Sequence, residues 1–328
     1  MKLQLIVPHY KERPEEVEPL LDSLRLQQAI DFDDFGVLIV YDGDEAYDLP
    51  IVEWAKRYPF EILHLHKPHG GISHTRNYGL DRATADYVMF CDADDMFCHV
   101  CGLRMVFDEI YRGFDTLTSA FIEETKKPGT NDPLFVVHEQ DGTFVHGKVH
   151  RLGYLRDNNI RFCDRLMVHE DSYFNVLVQS CITDPQRGRY LPEKFYLWKW
   201  RDNSICRHDP DYMLKTYPAM LESNDAMVDE LTRRGMGDVA NIHVGLMLFE
   251  AYYALNRKEW LEKTHKDYRD TTEKRVAEYY HKHKAGFDAM TDVEKMKASS
   301  IVRERSINKG MMMESVSFPE WLRHIDSL

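Results

Sequence analysis

The chain has 328 residues, of which 43% are hydrophobic, 12% aromatic and 30% charged, with a formal net charge of −13. That profile belongs to a folded soluble protein of one large or two modest domains and excludes a disordered chain. The acidity argues against a surface built to coat nucleic acid, and no stretch reaches the ~20 apolar residues of a membrane helix.

The N-terminal "MKLQLIVPHY" is too short an apolar run for a signal peptide and is broken by Pro8. The six cysteines have no disulfide-framework spacing, and Cys98 and Cys101 form a C-x-x-C without a second half. Free thiols in a reducing cytosol are therefore expected.

In chain order, "LQLIVP" reads as a buried strand ending at Pro8. "RPEEVEPLLDSLRLQQ" reads as a helix, with Pro at its start, acids in its first turn and Val17, Leu20, Leu21 and Leu24 at helical spacing. "FGVLIVYD" and "EILHLH" are further strands, "ISHTRNYGLDRA" is a helix, and "DYVMFCD" is a fourth strand. Alternating strands and helices with near-continuous apolar strands predict a parallel sheet covered on both faces. Ligands of such sheets bind at the carboxyl ends of the strands.

Beyond residue 115 the pattern changes. "DTLTSAFIEE" is a strand, and "PLFVVHEQDGTFVHGKV" reads as a strand pair turned at Asp141-Gly142. "HEDSYFNVLVQSC" is a helix opened by acids, and "GRYLPEKFYLWKW" is an aromatic-rich extended segment. From about 210 to 308 the pattern is helical, and 257–309 is locally basic. "KPGTND" is the expected exposed loop.

The fourth strand ends in Asp92, Asp94 and Asp95. Bunched carboxylates repel, and a hard divalent ion such as Mg²⁺ or Mn²⁺ relieves the repulsion while keeping open positions for a diphosphate. The plainer reading is an N-cap for the next helix.

The order "LIVPHYKE", "VLIVYDGDEAYD", "GGISHTRNYGLDRATADYVMFCDADD" and "MVHEDSYFNV" resembles the family 2 glycosyltransferases of GT-A fold. Members show an "IIPxYN" first strand, a second strand ending in Asp, a "G-x-(S/A)-x-x-RN-x-G" helix, "F-x-D-x-D-D" and a later "ED". The match covers about residues 1–208. It implies a Rossmann-like mixed α/β sheet with flanking helices at 1–209, binding a nucleotide sugar, and leaves a helical region at 210–328 for acceptor binding or oligomerisation.

Residue by residue, the resemblance puts Pro8, Tyr10 and Glu12 beside the nucleotide base, and Asp42 as a hydrogen-bond acceptor for that base. An ordinary Asp-Gly turn also fits Asp42. Arg76 would contact base or phosphate, or make a surface ion pair, and Asn77 lies beside it. Asp92 would face the ribose and share the metal with Asp94, while Asp95 fits a helix cap. Asp171 would be the base that deprotonates an acceptor hydroxyl, with Glu170 orienting it. The plain alternative is two acids favouring a helix N-terminus. "YLWKWRDNSICRH" resembles the family's "Y-x-x-R-x-x-S-I"; Arg201 and Ser204 would touch diphosphate or acceptor, and His208 would complete the metal site. Trp198 and Trp200 would stack a sugar or pack in the core, and His146, Lys148 and His150 would line an acceptor cleft or be exposed strand residues. The sequence departs from the family in His9, Lys11 and "YDGDEAYD", which bears on base and sugar preference.

The expected function is transfer of a sugar, with inversion, from a nucleotide-diphosphate sugar such as a UDP-sugar to a hydroxyl of a glycan, glycolipid or other polymer, with Mn²⁺ or Mg²⁺. The expected location is cytoplasmic, reaching a lipid-linked acceptor peripherally. Alternatives are a non-catalytic nucleotide-binding module, which has no need of Asp171, and transfer to a hydroxylated base in nucleic acid. A nucleotidyltransferase would carry a Gly-rich basic loop after the first strand, unlike "PHYKERPEE".

Overall fold

The computed structural model describes residues 1–45, 47, 49–127, 129–202, 212–308 and 316–328. The chain divides into two compact units, Met1–His208 and Asp209–Leu328.

In the first unit, β1 (Leu3–His9) and β2 (Phe35–Asp42) are buried along their whole length, as near-continuous apolar strands require. Between them lies α1 (Pro14–Arg25), opened by a capping box of Arg13 and Glu16 with Pro14 in its first turn. Next come α2 (Ile51–Arg57), β3 (Glu61–Lys67), α3 (Ile72–Arg82), β4 (Tyr87–Phe90), β5 (Met96–Phe97) and α4 (Gly102–Arg112). The unit continues with β6 (Thr116–Lys126), β7 (Pro133–His138), β8 (Lys148–Arg151), α5 (Leu152–Asp157), α6 (Glu170–Ser180) and β9 (Gly188–Trp198).

The strands form one mixed sheet in the order β3-β2-β1-β4-β8-β6-β9-β5, with β7 added on β6. Strands β3, β2, β1 and β4 run parallel, and direction reverses at the β4–β8 pair. The carboxyl ends of β1, β2 and β4 therefore share one edge. Helix α3 lies close on the sheet: a Cβ at Gly79 would stand 2.5 Å from the Ile6 side chain, so only glycine fits there.

The strand pair expected over 133–149 does not form. Both β7 and β8 pair antiparallel with β6, β7 along its second half and β8 along its first. The Asp141 carboxylate accepts from the Thr143 and Phe144 amides at 2.7 and 2.8 Å, which turns the chain onward along β6 instead of back on itself.

The second unit is helical: α7 (Tyr212–Lys215), α8 (Tyr217–Arg233), α9 (Gly237–Leu255), α10 (Lys258–Lys263), α11 (Lys266–Ala289), α12 (Asp292–Asn308) and α13 (Phe318–Asp326). Its centre is α9, which packs against α8, α11 and α12 and buries Val244, Met247, Leu248 and Ala251. The apolar run "VGLMLFEAYYAL" is thus a core helix, and among the described residues no helix is long and apolar enough to cross a membrane.

Candidate active site

At the edge where β4 ends and α6 begins, one guanidinium gathers three carboxylates. Arg76, on α3 and 3% exposed, donates from Nη1 to Glu170 at 2.8 Å and to Asp171 at 2.5 Å. Its Nη2 meets Asp92 at 3.3 Å, and the guanidinium lies over the Phe162 ring, 5.2 Å from the centroid. Burial pulls the Arg76 pKa down, but Asp171, Asp92 and Glu170 together hold it above its ordinary value. The residue thus ties the β4 end to the start of α6 from the inside, and its ion pairs are buried and not on the surface.

Asp171 carries the site's most informative electrostatics. Burial pushes its pKa up to about 7, against the lowering pull of Arg76. Its Oδ2 accepts from the Val145 amide at 3.2 Å. Just before it, His169 caps α6 in the left-handed region at φ 60°, a conformation that costs a non-glycine residue and that recurs at functional turns.

Along the rim, Asp94 has a pKa raised first by burial and then by the neighbouring Asp92 charge. The Arg201 Nε stands 2.9 Å from Asp94, and Arg201 Nη1 stands 3.6 Å from Glu12. Glu12 also accepts from the Tyr10 amide at 2.6 Å, and burial raises its pKa. Tyr10 is 47% exposed and faces the His69 ring at 5.0 Å, a pair open to a flat ligand. Pro8 is buried within β1, opposite Val40, so its ring is a wall of the sheet and not of the mouth.

Two residues expected at the nucleotide, Asp42 and Asn77, make their hydrogen bonds within the protein. Asp42 is buried and ion-paired with Lys67. It accepts from the Gly70 and Gly71 amides at 2.8 and 2.9 Å and lies 3.0 Å from His69 Nδ1. Burial would raise its pKa, but the Lys67 and glycine contacts outweigh that and hold it below the usual range. It therefore fixes the loop entering α3, where Gly71 has φ 85°. Asn77 is likewise buried: its amide binds the Phe162 carbonyl at 2.9 Å and Asp164 at 2.8 Å, and accepts from the Phe162 amide at 3.0 Å. It pins the strand-free segment after α5.

The acceptor-side residues separate. His146 joins Asp92 and Asp95, with donor atoms within 4.8 Å of one another; its Nδ1 is buried without a hydrogen-bond partner, and burial pushes its pKa down to about 4. Lys148 is buried with its ammonium on the Phe144 carbonyl, and burial lowers its pKa to about 8. His150 is fully buried, 2.9 Å from Thr116 Oγ1, and belongs to the core instead of a cleft. Trp198 packs at the core edge, 5.0 Å from Phe144 and 5.1 Å from His146, whereas Trp200 binds Asp202 through its indole nitrogen at 2.9 Å. Ser204 and His208 lie outside the described residues.

Do these residues fit a divalent ion? Asp95 does not cap a helix: it binds the Tyr196 hydroxyl and accepts from the Lys199 amide at 3.0 Å, which ties β9 to the β4 end. Burial raises its pKa well above the usual range. Asp95 nevertheless stands beside Asp92 and His146, with ligand atoms close enough to share an ion. Asp92 and Asp94 are the part-exposed carboxylates, at 34% and 23%, and Asp94 already attracts the Arg201 cation. Oxygen donors of that charge suit a hard divalent ion. Tyr196, which also accepts from the Asp92 amide at 3.3 Å, is the anchor that the sequence pattern did not single out. Only its place in an aromatic-rich strand hinted at it.

Residues 4–134 match the family model "Glycosyl transferase family 2". The chain is 26% identical over 222 residues to EpsJ, a glycosyltransferase of Bacillus subtilis, covering 62% of each chain. It is 35% identical over 197 residues to the minor teichoic acid biosynthesis protein GgaB of the same organism, covering 54% of this chain and 21% of GgaB. It is 28% identical over 222 residues to the poly(ribitol-phosphate) beta-N-acetylglucosaminyltransferase TarS of Staphylococcus aureus, covering 60% of this chain and 35% of TarS. The chain thus spans less than two thirds of the length of these curated relatives. In fold it resembles TarS residues 1–349 in complex with UDP, with TM-score 0.63 and 18% identity, covering 94% of this chain and 92% of that one. The same TarS fragment with UDP-GlcNAc gives TM-score 0.64 at 19% identity over the same shares. The order of sheet, Asp-rich strand end and acid-opened helix goes with these matches: residues 4–134 are similar to the family 2 glycosyltransferases, and the fold is of the GT-A type seen in TarS.

Proposed function

We propose that this chain transfers a sugar from a UDP-sugar to a hydroxyl of a glycan or other polymeric acceptor by a single inverting displacement, with Asp171 as base. The observation that carries the reading is Asp171 itself, a buried carboxylate at the sheet edge whose pKa is pushed up to about 7. A base of that affinity is ionised in useful amount near neutral pH and still holds a proton well. The nature of the donor is supported by the UDP and UDP-GlcNAc complexes of the TarS fragment, and that of the acceptor by the polymer-directed names of GgaB and TarS.

In the proposed reaction the acceptor hydroxyl gives its proton to an Asp171 oxygen as its own oxygen bonds to the anomeric carbon. The bond from that carbon to the diphosphate breaks, and UDP leaves with the electron pair. One displacement inverts the anomeric centre. Arg76 keeps Asp171 and Glu170 in place and offsets their mutual repulsion. Tyr10 and His69 would flank the base, and Arg201 would turn from Asp94 and Glu12 towards the diphosphate. Asp92 and Asp94 would hold Mn²⁺ or Mg²⁺, which when bound supplies positive charge against the leaving diphosphate. Residues 210–328 would serve acceptor binding or assembly.

The test is a transfer assay with a panel of UDP-sugars and product NMR. Inverted product, together with UDP binding that survives Asp171→Asn, supports the reading. Retained configuration or near-normal turnover of that variant refutes it.

A further inference from the structure

Asp92 and Asp95, from the turn between β4 and β5, and His146, from the loop before β8, each bring one ligand atom within 4.8 Å of the other two. The imidazole is held firmly there. Its ring lies 4.9 Å from Tyr196 and 5.5 Å from Phe144, at 25° and 12° to them, with Phe121 at 5.3 Å. The backbone on either side is fixed as well. The Val145 amide donates to Asp171 at 3.2 Å, and the Gly147 carbonyl accepts from the Ser119 amide and hydroxyl, both at 2.9 Å. Gly147 has φ 66°, and a Cβ there would run into the Ser119 hydroxyl, so glycine is required.

His146 is 3% exposed, yet its Nδ1 is buried without a hydrogen-bond partner. A phenyl ring would fill the same stack without that cost, which a ligand at the nitrogen removes. Asp95 has room for a further partner: bonds from the Tyr196 hydroxyl and the Lys199 amide leave a carboxylate with lone pairs to spare. Asp92 is the open member, its side chain 34% exposed. The surroundings favour a cation. Glu12, Asp94, Glu170 and Asp171 share this edge with Asp92 and Asp95, and Arg76 and Arg201 are the cations paired with them.

We propose that His146 is a nitrogen ligand of the donor-site ion, sharing it with Asp92 and Asp95, and that the site therefore prefers Mn²⁺ or Co²⁺ to Mg²⁺. The inference rests on the metal-assisted reading above and adds to it a ligand and an ion selectivity. Bonds of about 2.1 Å set ligand atoms roughly 3 to 4.2 Å apart, so the three need close by only about an ångström. Imidazole suits first-row transition ions, whereas Mg²⁺ is held through oxygen. Two carboxylates and one nitrogen leave positions open for a diphosphate, as three protein ligands do in catalytic metal sites. The same short loop reaches the base through the Val145 amide, so His146 and Asp171 are held in register.

The experiment is Mn²⁺ electron paramagnetic resonance on the full chain with UDP, in which the signal of free Mn²⁺ gives the affinity and spin-echo modulation reports bound nitrogen. Bound Mn²⁺ is expected to show nitrogen modulation, to keep it in His208→Ala, and to be displaced by Co²⁺ at concentrations about tenfold or more below those needed of Mg²⁺. His146→Phe keeps the ring stack; it should lose the modulation and bind Mn²⁺ about tenfold or more weakly, with Mg²⁺ affinity within about twofold. Should that buried change prevent folding, the modulation in the wild-type chain and in His208→Ala decides. Bound Mn²⁺ without nitrogen modulation, modulation lost in His208→Ala, or full-strength Mn²⁺ binding in His146→Phe overturns the proposal. UDP binding is measured calorimetrically beside it. A chain that binds UDP and takes up no Mn²⁺ refutes the metal reading and this proposal together, whereas Mn²⁺ bound through oxygen alone refutes only the role of His146.

Discussion

Replacing Arg76 with methionine removes the one cation that Glu170, Asp171 and Asp92 share while keeping much of its buried volume. Asp171 already stands at about 7 against an ordinary 3.8 with that cation 2.5 Å away. A unit charge about 4 Å distant at an effective dielectric of about 20 is worth ~4 kcal/mol as an upper bound, and one pKa unit is ~1.4 kcal/mol. Loss of Arg76 should therefore raise the base by roughly one to three units. At neutral pH the ionised fraction then falls from about half to between roughly a tenth and a thousandth. The measurement is kcat/KM for transfer across pH about 6 to 9.5, beside a thermal unfolding scan. The expected outcome is a rising limb displaced to alkaline pH, with activity partly recovered there. Stability should drop by no more than the ~3–5 kcal/mol of a broken buried pair, since proton uptake by the carboxylates limits the cost. A uniform loss with the limb unmoved would show that Arg76 does not set the protonation of Asp171.

Asp171→Asn should leave UDP affinity within about twofold and lower transfer by about 10²–10⁴-fold, and the wild-type rate should rise with pH through about 7 because the carboxylate must be ionised. Asp42→Ala strands a Lys67 that is 1% exposed and frees the Gly70 and Gly71 amides, so denaturant unfolding should register a loss of about 3–5 kcal/mol; a loss under about 1 kcal/mol contradicts the anchoring role. His150 is buried neutral, its pKa lowered to about 3 from 6.5, so the unfolded chain takes the proton first as pH falls. Its contribution is present above 6.5 and is lost progressively as pH drops towards about 3, at up to ~1.4 kcal/mol per pH unit, and His150→Leu should flatten that slope in chemical denaturation.

Much of the sheet was legible because burial on two faces leaves an apolar run that no loop would carry. β1, β2 and β4 stand where such runs lie, whereas β3, at the edge of the sheet, buries only Ile62 and Lys67. Helices α2 and α4 did not stand out between the strands, and the 133–149 segment misled because an Asp-Gly turn looks the same whether the chain folds back or continues along a third strand. At the site, the motif spacing identified Arg76, Asp92, Asp94, Glu170 and Asp171 as a set. Their neighbours in space could not be read from the chain, since Arg76 reaches Glu170 across 94 positions of sequence.

The sequence by itself determined which residue types stand at the strand ends, because a parallel sheet places the carboxyl ends of its strands on one edge whatever the loops do. Only the tertiary structure decided what each carboxylate does there. Asp92, Asp94 and Asp95 are neighbours in sequence, yet one meets Arg76, one meets Arg201 and one is buried against Tyr196. Asp42 and Asp171 are both acids at that edge, and their pKa values part in opposite directions. The physical reason is that charge is tuned by burial and by partners brought from distant elements. Lys67 and two glycine amides meet Asp42 at the entry to α3, whereas Asp171 is enclosed at the start of α6, with Glu170 beside it and Arg76 as its counter-charge.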